Sequence, residues 1–257
     1  MMNTKEKFEH FKGYHQVGKP ILLYNAWDAG SAKALEEAGA TAVATGSKPL
    51  ALSQGYPDGE VIAFDQLITT VKQIVGSISI PISIDFEGGY AKADNVRLAE
   101  NTSRLLETGI VGVNFEDQVI GVGGVFDIDT QAVRVATVRN AAKKMETPLF
   151  INARTDLFLQ EKDKSKHFGL MHEAKKRAQA FKEAGADGFF APGLDNLDLI
   201  VDLCQSVDLP VNIIKLPSAP ANQDLANAGV SRISYGPFAY LELMKTFREK
   251  AEKLFNK

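Results

Sequence analysis

A chain of 257 residues is long enough for one large domain or two small ones. Its 45 % hydrophobic and 24 % charged content is that of an ordinary soluble globular protein, and a net charge of −3 with a pI near 5.9 excludes a basic surface built for polyanions. The single cysteine, Cys204, excludes an internal disulfide and any multi-cysteine metal cluster. No stretch reaches the roughly 18 consecutive apolar residues of a membrane span, and residues 1–19 lack the apolar core of an export signal. The expectation is a cytoplasmic protein with no membrane or nucleic-acid partner.

In chain order, residues 1–19 read as a lead-in helix and residues 21–28 (ILLYNAWD) as a first strand. A helix over 30–38, a strand over 41–47, a polar loop over 48–59 and a helix over 60–75 follow. The third strand starts at Pro81 and runs into Asp85-Phe86-Glu87-Gly88-Gly89-Tyr90. Helix 94–107 leads to strand 110–117, a glycine-rich segment over 119–125, and helix 130–144. Strand 149–156, loop 160–166 and helix 170–184 come next, then strand 187–193 and helix 197–205. Strand 210–216, helix 221–228 and strand 231–237 precede a last amphipathic helix over 238–257.

The strands are short apolar runs, as parallel strands buried on both faces should be. Helix, glycine and strand recur at Gly39, Gly109, Gly185 and Gly229, where each glycine suits a left-handed helix cap. Eight strand–helix units predict an α/β fold, a single-domain (β/α)8 barrel over residues 1–257. A doubly wound open sheet is the alternative, but no glycine-rich dinucleotide turn follows the first strand.

Polar residues crowd the carboxyl ends of these strands, where such barrels do chemistry. Alternation along a strand puts Asp85 and Glu87 on one face. Two carboxylates at about 5 Å repel by roughly 3 kcal/mol at an effective dielectric near 20. Either both are solvated loop acids or something positive lies between them, and hard oxygen ligands point to Mg2+, with Mn2+ as the alternative. Glu116 and Asp117 end strand four. Asn152, Arg154 and Asp156 share a face of strand five. Arg154 can grip an anion through paired N–H groups or lock into an ion pair with Asp156 or Glu116. Ser47, after Gly46, either holds an anion or caps a helix, while Asp28 reads as a cap. Asp58 lies in the loop after strand two, and Asn212 and Lys215 lie on strand seven. Lys215 is a Schiff-base candidate or an ion-paired lysine. His10, His15, His167 and His172 read as surface residues, and Cys204 as core.

Through Asp85-Phe86-Glu87-Gly88-Gly89-Tyr90-Ala91, Phe115-Glu116-Asp117, Ala153-Arg154-Thr155-Asp156 and the run from Arg177 to Gly188, the chain resembles the phosphoenolpyruvate mutase/isocitrate lyase superfamily. The resemblance covers nearly the whole barrel. It implies a Mg2+-dependent enzyme acting on a small 2-oxo acid or its enol, with Asp85 on the metal and Asp58, Glu87 and Glu116 holding its waters. It also implies that Arg154 and Gly46-Ser47 clamp the substrate, and Tyr24 and Asn212 join the expected substrate-binding set. Glu87 stands where the family has a second Asp, so it too could reach the metal, as could Glu116. Ala91 replaces a glycine, which puts a left-handed backbone there in doubt. The gating loop reads Gln118-Val119-Ile120-Gly121-Val122-Gly123-Gly124-Val125-Phe126, without the Cys, Lys or His of the carbon–carbon lyases or the mutase.

The expected activity is therefore decarboxylation of an oxaloacetate-like 2-oxo acid, which needs an electron sink but no strong base. Carbon–carbon cleavage of the methylisocitrate lyase type, phosphonopyruvate or phosphoenolpyruvate chemistry, and non-catalytic keto-acid binding are the alternatives. The glycines of the loop suit a mobile lid. The resemblance further implies a homodimer or homotetramer, in which the last helix could take part.

Overall fold

The structure, a computed structural model, describes residues 2–256. Met1 and Lys257, which the expected domain includes, lie outside the described residues. Nine parallel strands form one sheet in the order β1-β9-β8-β7-β6-β5-β4-β3-β2. Strands β1 (Ile21–Leu23) and β2 (Asn25–Ala26) are two halves of the first predicted strand, broken at Tyr24. One half pairs with β9 (Arg232–Ser234) and the other with β3 (Val43–Thr45), which closes the sheet into the expected eight-unit barrel. The remaining strands are β4 (Ile82–Asp85), β5 (Gly112–Glu116), β6 (Phe150–Arg154), β7 (Gly188–Phe190) and β8 (Val211–Ile214).

Two-residue periodicity sorts each strand between two environments. Ile82 and Ile84 face the surrounding helices and join the main core, while Ser83 and Asp85 face the barrel axis. Register then stacks the inward residues in layers: Gly112 beside Phe150, Asn114 beside Asn152, and Glu116 beside Arg154. The lowest layer is apolar. The helix α1 (Thr4–Gly13) lays Phe8 and Phe11 under the barrel, against Leu23, Ala44, Val111 and Phe150. Phe11 is fully buried, and truncation of such a side chain costs about 3–5 kcal/mol.

The helices that shield the barrel are α2 (Ala29–Glu37), α4 (Phe64–Ser77), α5 (Asn95–Leu106), α6 (Ile128–Lys144), α8 (His167–Glu183), α9 (Leu197–Ser206), α10 (Asn222–Asn227) and α11 (Phe238–Phe255). Asp28 caps α2, accepting from Ser31 N at 2.7 Å, as expected. Gly39, Gly109, Gly185 and Gly229 all take the left-handed conformation, with φ between 89° and 103°.

Several local expectations change. Residues 48–59 are not a continuous loop: Ser47–Ser53 form a helix, α3, that accommodates Pro49 because a first-turn residue needs no N–H partner. A short helix, α7 (Leu157–Gln160), follows β6. The glycine-rich segment is a tight hairpin, with Gln118 bridged to Val125. His15 and His167 are buried, not exposed. The His15 ring stacks on Phe150 at 4.2 Å and meets Phe11 O at 2.8 Å. His167 packs edge-on against Phe158 and contacts Glu161 O at 3.1 Å. Among the described residues no helix is long and apolar enough to cross a membrane.

Candidate active site

A cavity of about 420 Å3 opens at the carboxyl ends of the strands. Asn25, Gly46, Ser47, Asp58, Asp85, Glu87, Asn114, Glu116 and Arg154 line its polar side. Leu159, Phe190, Pro192, Ile214, Leu216 and Phe238 make its other wall apolar. Of the expected site residues, Asp58, Asp85, Glu87, Glu116, Gly46, Ser47 and Arg154 converge here. Tyr24 does not line it. Its ring is 46 % exposed and leans on Tyr235, because the first strand breaks at that residue. Asn212 also does not line it. It is buried beneath, bonded to Ser234 Oγ at 3.2 Å.

Asp85 ends β4 as its last inward residue. Its Oδ2 accepts from Ser47 N at 3.0 Å, so the anion held by the start of α3 is this carboxylate. Its Oδ1 is buried and has no hydrogen-bond partner among the described residues. Glu87 reaches the same cavity by a different route from strand alternation. The strand ends at Asp85, and Glu87 takes a left-handed turn, with φ 50°. Tyr90 and Lys92 are also left-handed, with φ 56° and 51°, whereas Ala91 is not. Gly89 makes this turn possible: at φ 83°, an added Cβ would lie 2.3 Å from Leu98 Cδ1.

Both Glu87 oxygens are engaged, by Tyr90 OH at 3.1 Å and Glu60 N at 2.9 Å. Burial, then the charges of Asp85, Asp58 and Glu60, push its pKa up to about 8. Burial also raises Glu116, while Arg154 opposes the shift. Asp58 stands at the mouth, where burial and the Asp85 charge raise its carboxyl and the Ser47 hydroxyl lowers it.

Arg154 is an ion-paired arginine. Its Nε and Nη2 hold Asp156 at 2.6 and 3.0 Å, and its Nη1 meets Glu116 Oε2 at 2.9 Å and Asp85 Oδ1 at 3.9 Å. Burial alone would lower its pKa, but Asp156, Glu116 and Asp85 hold it well above the ordinary arginine range. Of the five N–H groups of arginine, two donate to Asp156, and the ion pair with Glu116 engages Nη1, which leaves two with no hydrogen bond among the described residues. The neighbouring Asp117 faces away. It pairs with Arg177 at 2.9 Å and accepts from Asp156 N, tying β5 to α8 and to the end of β6. Lys215 does not line the cavity, and its ammonium is turned onto the Ala219 and Pro220 carbonyls.

Among the described residues no three His, Cys, Asp or Glu side chains close into a ready-made metal-ligand set. Glu116 is held by Arg154, and Glu87 by Tyr90 and the Glu60 amide. The orphaned Asp85 Oδ1 nevertheless fits a divalent cation of the Mg2+ kind, which takes one or two carboxylates and keeps several waters. Asp58, Glu87 and Glu116 surround it as acceptors for such waters. Sequence reasoning missed Asn114, Glu60 and the apolar wall. Asn114 was visible only as an inward residue two before Glu116, and the apolar wall comes from the ends of β7 and β8 and from the segments that follow β6 to β9.

An acid-lined mouth on a closed parallel barrel defines a class of small-molecule enzyme sites. The chain belongs to the phosphoenolpyruvate phosphomutase family, whose model matches residues 11–255, within the phosphoenolpyruvate mutase/isocitrate lyase superfamily. An uncharacterized protein of Mycobacterium tuberculosis is 29 % identical over 90 % of this chain and 83 % of its own. The 2-methylisocitrate lyase of Escherichia coli is 27 % identical over 92 % and 79 %, and the oxaloacetate decarboxylase of Pseudomonas savastanoi is 25 % identical over 74 % and 64 %. A Burkholderia cenocepacia crystal structure, provisionally assigned as a phosphonomutase, is 36 % identical with a TM-score of 0.94, covering 98 % of this chain and 99 % of its own. Phosphonopyruvate hydrolase in complex with oxalate and Mg2+, at 21 % identity and TM-score 0.82 over 96 % and 85 %, shares the fold.

Proposed function

We propose that the protein is a Mg2+-dependent lyase, with Mn2+ as an alternative ion, that decarboxylates a small oxaloacetate-like 2-oxo acid. The observation that carries this reading is the free, buried oxygen of Asp85 at the floor of an acid-lined cavity beside Arg154. Names among the relatives, a methylisocitrate lyase and an oxaloacetate decarboxylase, support it. When bound, the cation supplies a Lewis acid for the charge that develops on the oxo oxygen.

The chain's own residues do the rest. Asp85, oriented by the Ser47 amide, would hold the ion, and Asp58, Glu87 and Glu116 would hold its waters. Arg154 offers its two remaining N–H groups to a substrate carboxylate. Breaking the C3–C4 bond releases CO2 and leaves the bonding pair in an enolate, which a proton converts to pyruvate. The hairpin over 118–126 carries no Cys, Lys or His, so this cavity favours a reaction that needs no positioned strong acid or base on the lid. The apolar wall of Phe190, Ile214, Leu216 and Phe238 favours a second reading, carbon–carbon cleavage of a bulkier substrate. We further infer a homodimer or homotetramer, because α11 presents Leu243, Phe247, Leu254 and Phe255 at 53–79 % exposure.

The test incubates pure protein with Mg2+ and a panel of 2-oxo acids, alkyl-substituted ones included, and follows pyruvate and CO2. Oxaloacetate turnover that EDTA abolishes, and that Asp85→Ala reduces about 100-fold or more, is expected. Unchanged rates under both conditions would sink the mechanism. Tight keto-acid binding without turnover would mark a binding protein instead.

A further inference from the structure

Arg232 lies on the barrel axis below the cavity and is fully buried. A buried charge is costly unless it is paired, and the effective penalty is several kcal/mol. Yet its hydrogen bonds go to neutral groups: Nη2 donates to Asn114 Oδ1 at 3.0 Å and Nε to Ser234 Oγ at 3.3 Å, while Nη1 has no partner among the described residues. Among the described residues it makes no ion pair with a carboxylate. Burial lowers its pKa to about 9, and the charge of Asp85 opposes that shift.

The consequence falls on Asn114. Arginine can only donate, so the Asn114 atom it touches must be the carbonyl oxygen. Asn152 Nδ2 donates to that same oxygen at 2.9 Å. Two donors fix the amide in one orientation and turn its NH2 group away from the network. Asn114 lines the cavity, and among the described residues only its oxygen is engaged in hydrogen bonds. An NH2 group beside Asp85 and Arg154 is placed to donate to an anionic oxygen.

We propose that Asn114 is a substrate-binding donor, presenting its amide NH2 to a carboxylate or oxo oxygen of the bound acid, and that Arg232 is the positioning residue that locks it in that orientation. This rests on the reading of the cavity as a 2-oxo acid site and adds two residues to it. A polar network with only a packing role would not need a charged residue at its centre. It would also be indifferent to which end of the amide faces the cavity.

The experiment compares wild type, Asn114→Ala, Asn114→Asp, Arg232→Met and the Arg232→Met/Asn114→Ala double variant. It measures oxalate affinity with Mg2+, kcat/KM on the accepted 2-oxo acid, and thermal stability without metal. Asn114→Ala should weaken oxalate binding and kcat/KM by about tenfold or more, the scale of a hydrogen bond to a charged group. Asn114→Asp gives Arg232 a counter-ion, so metal-free Tm should hold or rise while oxalate binding falls at least about tenfold. Arg232→Met should lose binding, and the double variant should be no worse than Asn114→Ala within about twofold, since one residue acts through the other. If Arg232→Met does not fold, Arg232→Lys, which keeps a donor, should retain more binding than Asn114→Ala. Asn114 variants that match a competent wild type, or single effects that multiply in the double variant, would overturn this assignment alone. A wild type that neither binds oxalate with Mg2+ nor turns over a 2-oxo acid would overturn the functional reading and this assignment with it.

Discussion

Glu87 carries the heaviest electrostatic load in the cavity. Its carboxyl is buried, faces three other acids and titrates at about 8. In the metal-free protein it therefore stays protonated at neutral pH. A carboxyl whose folded pKa lies above its unfolded value of 4.5 stabilises the fold below 4.5, and that contribution is lost as pH rises towards 8. The slope from this group is up to about 1.4 kcal/mol per pH unit. Chemical denaturation in EDTA between pH 6.5 and 8, above the range in which His15 titrates, should show stability falling with pH, and Glu87→Gln should flatten the trend. A slope unchanged in that variant would place the titration elsewhere. The sequence motif named Glu87 for the right cavity, but through strand alternation. What brings it there is the left-handed turn allowed by Gly89, a backbone conformation that no side-chain pattern announces. Arg154 was legible as an anion binder and an ion-pair partner alike, and the fold shows the ion pairs.

At the scale of elements, α1 is a plug under the barrel. Charged residues dominate its sequence, and this is why His15, just beyond its end, reads as a surface residue. Only packing against Phe150, far along the chain, reveals its burial. Burial, with Arg232 adding to it, lowers His15 to about 3, so the folded protein keeps it neutral. Its sign is opposite to that of Glu87. Below about 6.5 the unfolded chain takes up a proton that the folded one refuses, and stability declines as pH falls towards 3. Thermal melts below pH 4.5, where the Glu87 contribution no longer changes, should show this acid limb, and His15→Gln should shorten it while leaving stability at pH 8 within about 1 kcal/mol of wild type, less any lost stacking. An undiminished limb in the variant would exclude His15 as its source. The helix α3 was hidden for another reason: its polar first turn and Pro49 look like loop chemistry, although both suit a helix start.

For the whole molecule, the eight-unit barrel was readable from repeating strand, helix and glycine, because each unit is local. What was not readable depends on distant partners: Arg232 with Asn114, 118 positions apart, and the apolar wall assembled from separate strand ends, helices and loops. The exposed apolar run of α11 belongs to this scale too. Size-exclusion chromatography with light scattering should give a dimer or tetramer, and Phe247→Glu combined with Leu254→Glu should shift it towards monomer. A wild-type monomer at micromolar concentration would dismiss α11 as an interface.

The interrupted first strand governs how the cylinder is completed. Gly236 N donates to Asn25 Oδ1 across the seam at 2.7 Å, joining positions 211 apart. Loop-closure entropy grows slowly with length, so this late stitch costs only about 0.6 kcal/mol more than one of half the span. It does impose an order on synthesis. Asp58, Asp85, Glu87, Glu116 and Arg154 leave the ribosome well before Arg232, so the buried guanidinium beneath the cavity is the last of these charges to be made. The final strand brings that cation and the seam together, and the catalytic basin is finished only when the two ends of the polypeptide meet.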